Sequence, residues 1–155
     1  MLETLFGKCM MVFAMAMVPV VELRGAIPLG VSMGLPPLTV YILAVLGNVL
    51  PVPFIILLVR RVFDWLRRGR FWGPKIAAME RRAHLKGRLV RKYRLLGLIV
   101  LVAVPLPGTG AWTGALVAAL FDIRLRSALP AILLGVAIAG GIMLAVSCGL
   151  LALWF

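Results

Sequence analysis

The sequence predicts an all-α integral membrane protein. Two halves form an inverted repeat, each a re-entrant hairpin followed by a transmembrane helix, joined by a basic amphipathic cytoplasmic segment. Three observations predict this architecture. Of 155 residues, 63% are hydrophobic and 14% charged, with mean hydropathy +1.10; soluble domains hold roughly 45–50% apolar and about 25% charged residues. Several apolar runs are too short to cross a bilayer and end at Pro/Gly breaks. Positive charge is gathered into a single stretch flanked by apolar runs.

Residues 1–59 are the expected first repeat. Residues 1–21 imitate a signal peptide, with Ala14–Met15–Ala16 resembling a cleavage site, but the leading residues hold Glu3 as well as Lys8, and retention is expected. The apolar run 5–18 stops at Pro19. A run of about 14 apolar residues is more often re-entrant or interfacial than spanning. Continued through "PVVELRGAIPLG" (residues 19–30), it predicts a hairpin over 5–35. Residues 37–59 are long enough to span. Asn48, Pro51 and Pro53 interrupt that span; the carbonyls freed by proline either line a water path or are satisfied by neighbouring helices.

Residues 60–94 are the expected linker. They hold 13 Lys/Arg against Asp64 and Glu80, and so carry nearly all of the net charge of +12. Lys and Arg resist translocation, so this stretch is expected in the cytoplasm, against anionic lipid headgroups. Nucleic acid is not expected as a partner, because the flanks are hydrophobic. "RRVFDWLRRGRFWG" alternates arginines with aromatics in an interfacial pattern, and "PKIAAMERRAHLKGRLVRKYRLL" reads as a basic helix or a solvated tether. His84 stands alone among basic residues, without a second metal ligand.

Residues 95–155 are the expected second repeat. The run 95–104 ends at Pro105, and 110–121 returns beyond the break, predicting a second hairpin over 95–121 that enters from the opposite face. Residues 129–151 are long enough to tilt, or to bend at Gly140-Gly141. Gly47 in "AVLGNV" and Gly135 in "ILLGVA" match at about 88 residues' separation. Ala137, Gly141, Ala145 and Gly149 make a ridge of small residues. That ridge serves a homodimer or packs on a hairpin; a homodimer is the expectation, since two spans and two hairpins give little cover to a polar cavity. Cys9 and Cys148, both within apolar runs, read as packing residues. Asp122 with Arg124 and Arg126 reads as an interfacial cluster.

The candidate site comes from charges and breaks at bilayer depth. Charged side chains there cost about 2.5–3.5 kcal/mol on insertion scales and are usually functional. Glu22 and Arg24, two positions apart on an extended or turn backbone, can face one cavity. Glu22 is expected to load and release a proton or hold a cation, Arg24 to hold an anionic headgroup through its guanidinium fork; a structural ion pair is the alternative. In "PLPGTGAWTGA", Pro105 and Pro107 end the incoming leg, while Gly108 and Gly110 permit the turn. The returning leg starts near Ala111, so its free amides form an anion site, with hydroxyls from Thr109 and Thr113. The first hairpin is expected to repeat that device near Pro28, beyond Gly25. Trp112 reads as an anchor more readily than as a stacking platform.

"ELRGAIPLG" and "PLPGTGAWTGA", at this spacing in a chain of this size, resemble the "putative small multidrug export protein" family, a relative of the DedA/VTT superfamily. The resemblance covers most of the chain. It implies two re-entrant hairpins, a multi-pass protein of a prokaryotic-type inner (cell) membrane, movement of lipids such as polyprenyl phosphates, links to proton-motive force, and membrane-embedded roles for Glu22, Arg24 and residues 107–110. The chain is shorter than typical DedA proteins and lacks some of their helices and acidic positions.

The expected function is a secondary transporter or lipid flippase, proton-linked, moving an anionic lipid headgroup and requiring no cofactor. The rivals are export of cationic lipophilic drugs, with Glu22 as counter-charge, and a non-transporting scaffold that uses its basic strip on anionic lipid. An enzyme is not expected, because no nucleophile–base or metal constellation stands out.

Overall fold

The computed structural model describes residues 4–68, 74, 89–106 and 108–154. Among them every regular element is a helix: α1 (Leu5–Met17), α2 (Glu22–Ser32), α3 (Pro37–Val49), α4 (Val52–Arg67), α5 (Leu89–Ala103), α6 (Ala111–Leu120) and α7 (Leu125–Trp154). Local chemistry sets the boundaries. The Thr4 hydroxyl accepts from the Gly7 N–H at 3.3 Å and caps α1, which ends just short of Pro19. Pro37 opens α3, where its missing N–H has no helical partner to lose. Pro51 lies between α3 and α4 and Pro53 in the first turn of α4, and neither can donate to the preceding turn, so α3 ends there.

α1 packs on α2 and α3, and α5 packs on α6 and α7. α2 also crosses to α7, α6 crosses to α4, and α3 lies along α7. The shared core is aliphatic, built from Val12, Ile27, Val40, Leu98 and Ile132.

Two stretches are long and apolar enough to cross a membrane, Pro37–Trp65 with mean hydropathy 2.6 and Leu125–Gly149 with 2.4, yet each is only 33% buried inside the chain. What they leave outside is large and apolar, with Leu38 and Phe54 each 69% exposed and Leu58 65%. Fully burying one such side chain is worth roughly 1.5–3 kcal/mol, so a row of them facing water would be strongly unfavourable. Lipid is the medium that fits this surface, and the chain is a membrane protein.

Local structure recurs at an offset of about 88 residues. At the end of α2, the N–H groups of Met33, Gly34 and Leu35 donate to the carbonyls of Leu29, Val31 and Gly30. At the end of α6, those of Phe121, Asp122 and Ile123 donate to Val117, Ala119 and Ala118. Gly34 (φ 74°) and Asp122 (φ 51°) occupy the same left-handed position after each helix. Lys8 Nζ donates to the Met33 carbonyl at 2.8 Å, and Arg94 Nη1 to the Phe121 carbonyl at 3.4 Å. A Cβ on Gly47 would lie 2.5 Å from the Phe13 carbonyl oxygen, and one on Gly135 would lie 3.0 Å from that of Ile99. Each glycine thus lets its helix close onto backbone, α3 on α1 and α7 on α5.

The alternative left open for the last span is decided: α7 is one helix through Gly140-Gly141, and the Tyr41 ring seats against Gly140. α4 runs past residue 59 to Arg67, so part of the interfacial pattern prolongs the first span. α5 is described from Leu89, so the basic residues 91–94 are helical and continue into the apolar run, as the reading of a basic helix expected. Gly141 and Gly149 of the small-residue ridge face open space. Asp122 lies 3.9 Å from Arg60, whose guanidinium also donates to the Ile123 carbonyl. His84 and most of the basic linker lie outside the described residues.

Candidate functional site

The site lies where the N-termini of α2 and α6 meet. After the turn at residues 18–21, Glu22 adopts φ 47°, a conformation that side chains larger than glycine seldom take. This kink starts α2 at once and aims the Glu22 side chain at the other break. Glu22 is 6% exposed, and its Oε1 accepts from the Trp112 N–H at 3.3 Å. The first N–H groups of a helix have no partner within it, so this carboxylate fills the anion position of α6. A carboxylate at a helix N-terminus is worth about 0.3–1 kcal/mol, and up to about 2 when partly buried. Gly110, at φ 143°, precedes α6; a Cβ there would overlap the Glu22 carboxylate. The turn and the close approach both require glycine.

Arg24 reaches the same break. Its Nη2 donates to the Thr109 carbonyl and, at 3.0 Å, to Thr109 Oγ1. That hydroxyl donates to the Val104 carbonyl at 2.6 Å and accepts from the Leu106 N–H at 3.1 Å. Thr113 Oγ1 donates to the Gly108 carbonyl at 2.8 Å, and Trp112 Nε1 to the Met17 carbonyl at 3.2 Å. The second break is therefore tied to itself by two threonines, and to the end of α1 and the start of α2 by Trp112, Arg24 and Glu22.

A small cavity remains at the junction, lined by Glu22, Arg24, Asn48, Pro105, Gly110 and Met143 among others. It has room for about one water molecule, far less than a phosphate headgroup needs. Asn48 is 1% exposed, and neither its Nδ2 nor its Oδ1 has a hydrogen-bond partner.

Of the residues expected at the site, Glu22, Arg24, Pro105 and Gly110 line this cavity, and Thr109 and Trp112 bond to the charged pair. Gly108, at φ 85°, makes the turn, and Thr113 ties it. Pro107 lies outside the described residues. Two expectations are corrected. The stretch from Glu22 is helical rather than extended, so α2 has its N-terminus at Glu22 and not near Pro28. Pro28 sits inside α2, where its missing N–H leaves the Arg24 carbonyl without the usual helical donor. Gly25 packs instead against the Val21 side chain, which occupies the space a Cβ would need. Sequence reasoning weighed Asn48 only for a water path, although it is the chain's single side-chain amide, set in an apolar run. Val102, Val136, Ala139 and Met143 also line the cavity, and nothing in their apolar surroundings singled them out.

The charges of Glu22 and Arg24 offset each other. Each helix N-terminus adds roughly half a positive charge, so the junction carries about one net positive unit.

A family model described as "Putative small multi-drug export protein" matches residues 22–142, a span that starts at Glu22 and takes in both breaks. No curated protein and no solved structure matches the chain.

Proposed function

The chain belongs to the small multidrug export family, and on that premise we propose a proton-linked secondary transporter that flips an anionic lipid headgroup, such as a polyprenyl phosphate, across the cell membrane. The observation that carries the reading is the convergence of Arg24 and two helix N-termini on one cavity against a single carboxylate. A cationic drug would find Glu22 already engaged by the Trp112 N–H beside Arg24, so the anion is the better partner. The cavity is water-sized, and transport therefore opens the link between Arg24 and Thr109 to admit a headgroup.

The recurrence at about 88 residues supports an inverted repeat, with halves 1–59 and 95–155 about the linker 60–94. Helix lengths support re-entrant hairpins. At 1.5 Å per residue, α2 and α6 are about 16 and 15 Å long, so joined at their N-termini they match a hydrocarbon core of about 30 Å. In this reading Arg60 and Arg94, at the C-terminal end of α6, lie on the cytoplasmic side with the linker, and Lys8, at the end of α2, lies outside. The open face at Gly141 and Gly149 pairs with a second copy to complete the enclosure.

Translocation of lipid phosphate in proteoliposomes tests the proposal. Wild type moves it, Arg24→Ala slows it by at least tenfold, and equal rates for the two overturn the headgroup role.

A further inference from the structure

Asn48 is buried in one cavity with Glu22 and its amide lies beside that carboxylate, yet neither its donor nor its acceptor completes a hydrogen bond. Leaving a buried polar group unpaired costs about 1–3 kcal/mol, so such a group points to a missing partner. A carboxylate offers two acceptors and can satisfy only the Nδ2 side of an amide. A protonated carboxyl offers one donor and one acceptor, the complement of an amide. We infer that Glu22 is a two-position switch: its carboxylate caps α6 at the Trp112 N–H, and its protonated carboxyl closes on the neighbouring Asn48 amide.

The steps balance. A proton binds the Glu22 carboxylate, which leaves the Trp112 N–H. Its new O–H donates to Asn48 Oδ1, and its carbonyl accepts from Asn48 Nδ2–H. The vacated N–H groups at the N-terminus of α6 then donate to a phosphate oxygen. Glu22 is thus a tethered competitor of the anion, and one proton is taken up for each anion bound. By reciprocity the anion promotes protonation as strongly as the proton promotes anion binding. Arg24, on the same helix, is the charged group facing Glu22 among the described residues. From α3, α5, α6 and α7 the cavity receives Asn48, Val102, Ala111, Val136, Ala139 and Met143, none of them titratable; α1 presents the Met17 carbonyl to Trp112. This switch rests on the transport reading for its purpose, and its geometry stands apart from it.

The chain has one asparagine, and Glu22 is one of three glutamates, with Glu3 and Glu80, so both partners can be followed by labelling. The full chain, in liposomes without substrate, is labelled with ¹³C at glutamate carboxyls and ¹⁵N at the asparagine amide, then compared between alkaline and acidic buffer. Infrared difference spectra are expected to show a protonated carboxyl that Glu22→Gln abolishes and Asn48→Leu moves to higher frequency. If Asn48→Leu fails to fold, the wild-type amide resonance decides: it shifts on acidification, and holds one position in Glu22→Gln. An amide blind to Glu22 protonation, or no protonated Glu22 at all, overturns the switch. Inorganic phosphate and a polyprenyl phosphate are then added separately. The one that strengthens the protonated band identifies the source of the anion, and no response to either overturns the competition. Transport measured on the same liposomes keeps the two readings apart. Coupled spectra without transport support the switch and overturn the flippase; transport with uncoupled spectra does the reverse.

Discussion

The carboxylate of Glu22 and the backbone N–H of Trp112 meet at 3.3 Å although 90 positions separate them in the chain. Both belong to breaks rather than spans, and Gly110 lets them touch, since any Cβ there would overlap the carboxylate. Gly110→Ala is therefore expected to destabilise the chain by about 1–3 kcal/mol through its backbone conformation alone, and by more through the clash. Gly141→Ala, at an open helical position, is expected to be neutral or to stabilise by up to about 1 kcal/mol. Thermal unfolding in detergent compares the two; equal midpoints would show that the close approach at Gly110 does not exist.

Arg24 is linked to Thr109 through both its carbonyl and its hydroxyl, and no side-chain substitution at 109 removes the carbonyl. Arg24→Ala is thus expected to cost about 1.5–3 kcal/mol, the range for hydrogen bonds from a charged donor. Thr109→Val removes the hydroxyl and keeps the carbonyl, so the coupling between the two in a double-mutant cycle should be only about 0.5–1 kcal/mol. Arg24→Lys is expected to rescue poorly, because an ammonium lacks the planar fork. Unfolding free energies for the four species check this, and full rescue by lysine would mean that charge alone is used.

Gly47 and Gly135 do the same work, the first admitting the backbone of α1 to α3 and the second that of α5 to α7. Alanine at either should separate the packed helices, with comparable losses of about 1–3 kcal/mol each, in the range for overpacking. The sites belong to different helix pairs, so their effects should add to within about 0.5 kcal/mol. Unfolding of the single and double variants measures both claims, and a large loss at one glycine alone would break the equivalence.

How much of this was legible beforehand depended on what each residue advertises. Charge and proline speak locally, so Glu22, Arg24 and the break at Pro105 stood out, as did two apolar stretches long enough to span. The helical start of α2 was missed because it depends on Glu22 taking φ 47°, a choice imposed by the partner break and not by local propensity. Pro28 misled for a related reason: proline usually opens a helix, and here it lies inside one. Asn48 shows its meaning only when its burial and its two empty hydrogen-bonding atoms are seen together. The apolar walls from α5 and α7 carry no mark at all, since Val102 and Met143 look like any lipid-facing residue until tertiary packing turns them inward.

The ends of α2 and α6 supply the remaining prediction. Lys8 closes the first on the Met33 carbonyl and Arg94 closes the second on that of Phe121. Cations at a helix C-terminus are favoured by the dipole, so each pairing serves the same local purpose. If the two N-termini meet in mid-bilayer, these closed ends must emerge on opposite sides. Cysteines at positions 33 and 121, with Cys9 and Cys148 replaced by serine, are then labelled by a membrane-impermeant maleimide from different compartments. Position 33 should react from outside in intact cells, and position 121 only once the cytoplasmic face is opened. Reaction of both from one side would put α2 and α6 in the same leaflet. The abutting half-helices, and the shared site between them, would then have no membrane to cross.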